Sequence, residues 1–211
     1  MSSITAEAAG LDARSIDAAR SRTRWALVAG VALGSTGHIA AITVSTIVAQ
    51  QVLGVEALAG APGAAVVLGA ALGAVVLSSI MARRGRRLGL VAGYLISVLG
   101  AFVATSSVLT ISFPLLLIGM LLIGFGNSSN QLSRYAAADL VPPDRRAVAI
   151  GIVVWGATVG AVLGPFLVPV AGRLATSVGL PELAGPFLVP VAFVGAAALL
   201  QFLLLRPDPY A

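Results

Sequence analysis

Cysteine and lysine are absent from the 211 residues, histidine occurs once, and the acids number only eight. Without thiols there is no disulfide, no thiolate catalysis and no cysteine metal site. One histidine among scattered acids leaves no His–carboxylate cluster of the usual metal-binding kinds, so neither a metal nor a cofactor is expected. Charge is scarce as well: 10% of residues are charged and 58% are hydrophobic, and the mean hydropathy is +1.01. A soluble domain is about half apolar and about a quarter charged. This chain has too little polar surface to cover a water-soluble body, which points to an integral membrane protein.

What is present is a series of long apolar runs. A spanning helix needs about 20 largely apolar residues. Six stretches qualify, at about Trp25–Val52, Pro62–Ala82, Leu88–Val108, Phe113–Ala138, Ala147–Gly172 and Gly185–Leu205. The runs are continuous rather than alternating, unlike the strands of a membrane β-barrel. Lipid offers the backbone no hydrogen bonds, so each run is expected to be helical. The expected fold is all-α, a polytopic membrane protein of six transmembrane helices. Residues 1–24 form a polar tail, 25–205 the membrane domain and 206–211 a short stub. No signal peptide is expected, because the first apolar run is long enough to remain as a span. Composition leaves the tail either disordered or a short interfacial helix.

All thirteen basic residues are arginine, giving a net charge of +5. If the tail is cytoplasmic, twelve of them fall on the inner side: Arg14, Arg20, Arg22, Arg24, Arg83, Arg84, Arg86, Arg87, Arg134, Arg145, Arg146 and Arg206. Only Arg173 falls outside. That bias sets the orientation, with both termini cytoplasmic and the inner (plasma) membrane as the expected location. The basic character is thus topology rather than a nucleic-acid face, and the lipid bilayer, with its anionic headgroups, is a sufficient partner for it.

Polar residues inside the spans mark candidate sites. On the fourth span Asn127, Asn130, Gln131 and Arg134 lie at i, i+3, i+4 and i+7, one helix face. Polar groups at this depth face other helices or a watery cavity rather than lipid. Either they bond neighbouring helices or they line a cavity, and Arg134 either serves the cavity or snorkels to the interface. The first span carries Ser35, Thr36, His38, Thr43, Ser45, Thr46 and Gln50 on about half its circumference. His38 is either a proton carrier or a neutral packing residue. The substrate-cavity candidates are His38, Ser45, Asn127, Asn130, Gln131 and Arg134.

Three further segments carry patterns. The connection between spans two and three contains Arg83, Arg84, Gly85, Arg86 and Arg87, with the glycine permitting a tight turn. Beyond span four come Asp139, Pro142, Pro143, Asp144, Arg145 and Arg146. The prolines end the helix, and Asp144 suits the start of the next one. Span five has Gly156, Gly160, Gly164 and Pro165. Glycines four apart let a neighbouring backbone approach, and the proline removes a backbone hydrogen bond. Gly69 and Gly73 repeat the spacing in span two.

These segments resemble the major facilitator superfamily. Arg83, Gly85, Arg86 and Arg87 fall on its loop pattern G-x-x-x-D-R-x-G-R-R, with Ser78 and Ala82 at the glycine and aspartate positions. Gly160, Gly164 and Pro165 fall on G-x-x-x-G-P-x-x-G-G, with Val168 and Pro169 at the closing glycines. The first pattern implies a conformational latch built from Arg83, Gly85, Arg86 and Arg87. Asp139 and Asp144 are the nearest acids available to these arginines and Arg84. The second is associated with exporters that work by antiport. The resemblance extends from helix one to helix six and implies one half of a major facilitator fold, its cavity lined by helices one and four.

The function so implied is half of a secondary transporter for a small-molecule substrate, an exporter, with protons as coupling ions. The missing wall would come from a second six-helix half, either another copy or a separate chain. Two alternatives stand beside it: an orphan or truncated half acting as a noncatalytic membrane subunit, and an intramembrane enzyme. The latter needs a nucleophile paired with a base, and no Gly-x-Ser-x-Gly element accompanies His38. No catalytic residue is therefore assigned. The acids all lie in tails, loops or span ends, which favours neutral or anionic substrates. For the orientation, a reporter active only outside the inner membrane, fused to Ala211, is expected to be silent; strong signal would invert the topology.

Overall fold

A computed structural model describes the backbone of residues 2–52, 54 and 58–205, with side chains from residue 21 on, Val52 excepted. Among these residues there is no strand. Six long helices follow one another: α1 (Ser2–Ile47), α2 (Ala61–Arg84), α3 (Arg86–Leu109), α4 (Phe113–Asp139), α5 (Arg146–Ser177) and α6 (Gly185–Leu204). Each is long and apolar enough to cross a membrane. A π-helical turn, Val48–Val52, ends the first. The polar tail is not a separate disordered segment, since α1 begins at Ser2. Its alanines and arginines favour helix, and no proline interrupts it before the span. The stub 206–211 lies outside the described residues.

One residue separates α2 from α3. Gly85 has φ 90° and ψ 160°, a conformation that a Cβ would strain. Its N–H is 3.1 Å from the Met81 carbonyl and closes the end of α2. The two helices therefore fold back as a hairpin with no slack. α5 continues through Pro165 and Pro169, and α6 through Pro190. Lipid-side helices tolerate such breaks when neighbouring groups satisfy the freed carbonyls.

The helices form two triads. α1 packs on α5 and α6, while α4 packs on α2 and α3; α1–α4 and α3–α6 contacts join the triads. Exchanging α1 with α4, α2 with α5 and α3 with α6 maps this contact pattern onto itself. Since α1 and α4 run in opposite directions, the relation is that of an inverted repeat. The same joint is built twice. A Cβ added at Gly160 would collide with the α1 backbone at Ala32 and Thr36, one at Gly164 would press tightly on Thr36 and Ala40, and one at Gly69 or Gly73 would collide with the α4 backbone at Leu121 and Phe125. In lipid, where burying apolar surface yields little between helices, such close approach supplies the packing attraction.

Apolar side chains gather at the two ends of the bundle. One cluster holds Val44, Val108, Leu116, Met120 and Phe187. The other, at the arginine-rich end, holds Leu27, Leu77, Met81, Leu90 and Leu205. Between them lies a polar layer. Replacing Gly160 with leucine is expected to lower the folded yield and shift detergent thermal unfolding downward, by about 1–3 kcal/mol for overpacking. Unchanged stability would show that this face of α5 does not touch α1.

Candidate functional site

The polar layer centres on α4. Asn127, Ser128, Ser129 and Asn130 are consecutive, and at about 100° per residue their side chains fan around the helix. Ser128 Oγ donates to the Ala70 carbonyl of α2 at 2.9 Å, and Ser129 Oγ to the Leu90 carbonyl of α3 at 3.1 Å. Asn130 is buried and reaches both α3 and α1. Its Oδ1 accepts from the Tyr94 hydroxyl at 2.7 Å. Its Nδ2 faces Ser35 Oγ at 3.2 Å, His38 Nδ1 at 3.4 Å and Asn127 Oδ1 at 3.4 Å. On its other side the His38 ring meets Ser97 Oγ through Nε2, at 2.8 Å. His38 is thus buried with partners at both ring nitrogens, and neither partner is a carboxylate.

A cavity of about 200 Å³ opens beside this network. Ser35, His38, Ile39 and Ile42 of α1, Asn127, Asn130, Gln131 and Arg134 of α4, and Ala157 and Ala161 of α5 line it. Five of the six residues expected to line a cavity therefore come together. Ser45 does not: it is buried one to two turns further along α1 and its hydroxyl bonds the Ile42 carbonyl of its own helix at 2.9 Å. A serine in an apolar helix can satisfy itself on the preceding turn, so polarity alone did not place it at the cavity. Gln131 is exposed at the cavity's open side. Arg134 is half-buried, and its Nε has no hydrogen-bond partner. Arg134 is the only charged residue among those lining the cavity.

Sequence reasoning did not single out Tyr94, Ser97 or Gln201. Tyr94 and Ser97 are one turn apart on α3, and nothing in their neighbours marks them until α3 is laid against α4. Gln201 of α6 is fully buried, and neither its Nε2 nor its Oε1 is hydrogen-bonded. It packs over Gly30, where a Cβ would lie 2.5 Å from the amide nitrogen. Its position inside an apolar run was the available signal.

At the arginine-rich end the loop residues separate into different roles. Arg86 pairs with Asp139 at 2.9 Å, tying the start of α3 to the end of α4. Arg87 donates to the Phe202 carbonyl through Nε (2.9 Å) and Nη2 (2.6 Å). Its guanidinium also lies 4.4 Å from the Phe202 ring centroid. It so caps the last turn of α6, where cations are favoured. Arg83 and Arg84 are exposed. Asp144 does not reach the loop arginines; it sits 3.8 Å from its neighbour Arg145, in the short 3-10 turn before α5. Gly156, Gly160 and Gly164 are buried against α1, and Pro165 is exposed beside them.

Six spanning helices in an inverted repeat thus hold an uncharged network, with one arginine beside a cavity between the first and fourth helices. The sequence profile of the Major Facilitator Superfamily matches residues 19–211. The chain is 41% identical over 188 residues to the Uncharacterized MFS-type transporter YdeG of Bacillus subtilis (strain 168), covering 89% of this chain and 44% of that protein. It is 39% identical over 188 residues to YddS of the same strain, likewise described as an uncharacterized MFS-type transporter, covering 89% and 43%. The Riboflavin transporter RfnT of Brucella anthropi is 33% identical over 137 residues, covering 65% and 34%. The chain belongs to the major facilitator superfamily, a family of transporters and not of enzymes, which sets aside the intramembrane-enzyme alternative. It spans less than half the length of these relatives.

Breaking the network tests its geometry. Tyr94→Phe removes one bond to Asn130 and is expected to cost about 1 kcal/mol in detergent unfolding. Asn130→Leu strands Tyr94 and Ser35 together and is expected to cost at least about 2 kcal/mol. Equal, negligible losses would show that the layer is not hydrogen-bonded.

Proposed function

We propose that the chain is one half of a secondary transporter and that its substrate passes the cavity beside Asn130. The observation that carries this reading is the cavity's chemistry: amides, a hydroxyl, an imidazole and a single guanidinium lie at membrane depth and open to one side. Such groups are disfavoured against lipid and suit a water-filled path closed by a second six-helix half. That half is a second copy or a separate segment, and the assembled pair is the transporting unit. Both termini face the cytoplasm, and the membrane is the inner one.

The substrate is a small neutral or anionic molecule. No carboxylate lines the cavity to hold a cation, and the planar fork of Arg134, its Nε unpartnered, suits a carboxylate, phosphate or ring carbonyl. The relative whose name specifies riboflavin makes a flavin-like, carbonyl-rich solute a reasonable first substrate to assay. Export in exchange for protons is the finer reading. It rests on the α5 glycine–proline segment and on His38, whose side chain is of the type that exchanges protons near neutral pH. Arg86 with Asp139 is the latch between conformations. An orphan half without transport activity is the competing reading.

The test is flux into proteoliposomes holding the assembled pair, with and without a pH gradient. Arg134→Ala is expected to raise the transport KM by about tenfold or more, and Arg134→Lys to recover little of it. His38→Gln is expected to flatten the pH profile of flux while leaving binding intact. Normal flux in Arg134→Ala would reduce the arginine to an interface anchor, and an unaltered pH profile would remove His38 from coupling. No flux in the assembled wild type would favour the orphan half.

A further inference from the structure

A second, larger cavity lies at the arginine-rich end, away from the residues of the central one. It encloses about 640 Å³ between Ser21 and Arg24 of α1, the α4–α5 connection and the first two turns of α5. Its lining is two-sided. Ser21, Arg24 and Arg145 supply a hydroxyl and two guanidinium groups, while Pro142, Val148 and Ile152 supply an apolar wall. Val148 and Ile152 are one turn apart on α5, so the apolar wall runs from the charged mouth along the helix toward the membrane.

Among the described residues the cations here have little neutralisation. There Arg145 pairs with Asp144 alone, at 3.8 Å and with side-chain exposures of 77% and 74%, a pair that water screens to a small contribution. Arg24 is half-buried and pairs with no acid among the described residues. No side chain caps the N-terminus of α5, and its first turn holds no acid, so the positive end of its dipole adds to the field at this corner. Trp25, next to Arg24, is 60% exposed. An exposed tryptophan at a span end marks the level of the membrane–water boundary.

We propose that this cavity binds the headgroup of an anionic phospholipid, with the phosphate between Arg24 and Arg145 and the start of an acyl chain along Val148 and Ile152. A soluble anion would need the arginines but not an apolar wall leading into the bilayer. The site is independent of the transport reading, because binding alone reports it. An occupant here touches α1, α5 and the connection that follows Asp139, and so couples lipid charge to the end of the molecule where the helices are tied.

Native mass spectrometry of the full chain, titrated with phosphatidylglycerol or phosphatidylcholine of matched acyl chains, tests it. At about fivefold per arginine, the wild type is expected to prefer phosphatidylglycerol by about tenfold or more. Arg24→Gln with Arg145→Gln should bring the two lipids within about twofold. Arg145→Gln alone, at an exposed position that leaves the bundle folded, should lose about half of the preference on a logarithmic scale. Arg83→Gln with Arg84→Gln removes the same charge from the exposed hairpin and should leave the preference intact. No preference in the wild type, or equal loss in the hairpin variant, would overturn the site. Displacement of the lipid by millimolar glycerol phosphate would make it a site for free anions instead.

Discussion

In lipid a polar side chain has no solvent to fall back on, so each one in the bundle must find a partner or a watery space. Asn130 is where this constraint bears hardest. Four helices are held in register by the short stretch Asn127–Asn130, because Ser128 bonds α2, Ser129 bonds α3 and Asn130 bonds α3 and α1. Ser128 and Ser129 face the neighbouring helices, while Asn130, Ser35 and His38 both bond one another and border the cavity. Gln131 and Arg134 extend the same lining beyond the network. The cavity wall is therefore continuous with the hub of the fold.

Close approach is the second requirement, since hydrogen bonds across helices need backbones near enough to be reached. The glycines of α2 and α5 supply it, each seating its helix on the backbone of α4 or α1. Using one joint twice in opposite directions gives the triads the same internal geometry. α1 and α4, the helices seated on by both glycine rows, are then brought face to face across the cavity. The apolar clusters at the two ends close the bundle above and below the polar layer.

The arginines act at the ends of helices rather than along them. Arg86 and Arg87 are adjacent, yet one binds α4 through Asp139 and the other caps α6 at Phe202. The one-residue turn at Gly85 fixes both at the start of α3, so a shift of α2 against α3 would be felt at both partners. Arg24 and Arg145 gather at another corner, one on α1 and the other just before α5.

Much of this was legible in the residues themselves. Helix number, approximate span ends and the clustering of arginines on one side follow from local hydropathy and charge, which lipid makes nearly deterministic. The polar face of α4 was readable too, because i, i+3, i+4 and i+7 share a face wherever the helix lies. The glycine rows announced a tight contact but not its partner. Partners are set by which helices pack side by side, and that is a property of the whole bundle. Ser45 was the cavity candidate and Ser35 was not, yet Ser45 folds back on its own helix while Ser35 meets Asn130 and lines the cavity. Tyr94 and Ser97 carried no local pattern, Gln201 only its place in an apolar run, and Asp144 was separated from the loop arginines by a turn whose direction only the packed helices decide. The sequence by itself determined that there would be six spans, an arginine-rich side and a polar stripe. The tertiary structure decided which polar groups satisfy one another and which are left to line the cavity, because hydrogen bonds between helices depend on distances that no single helix contains.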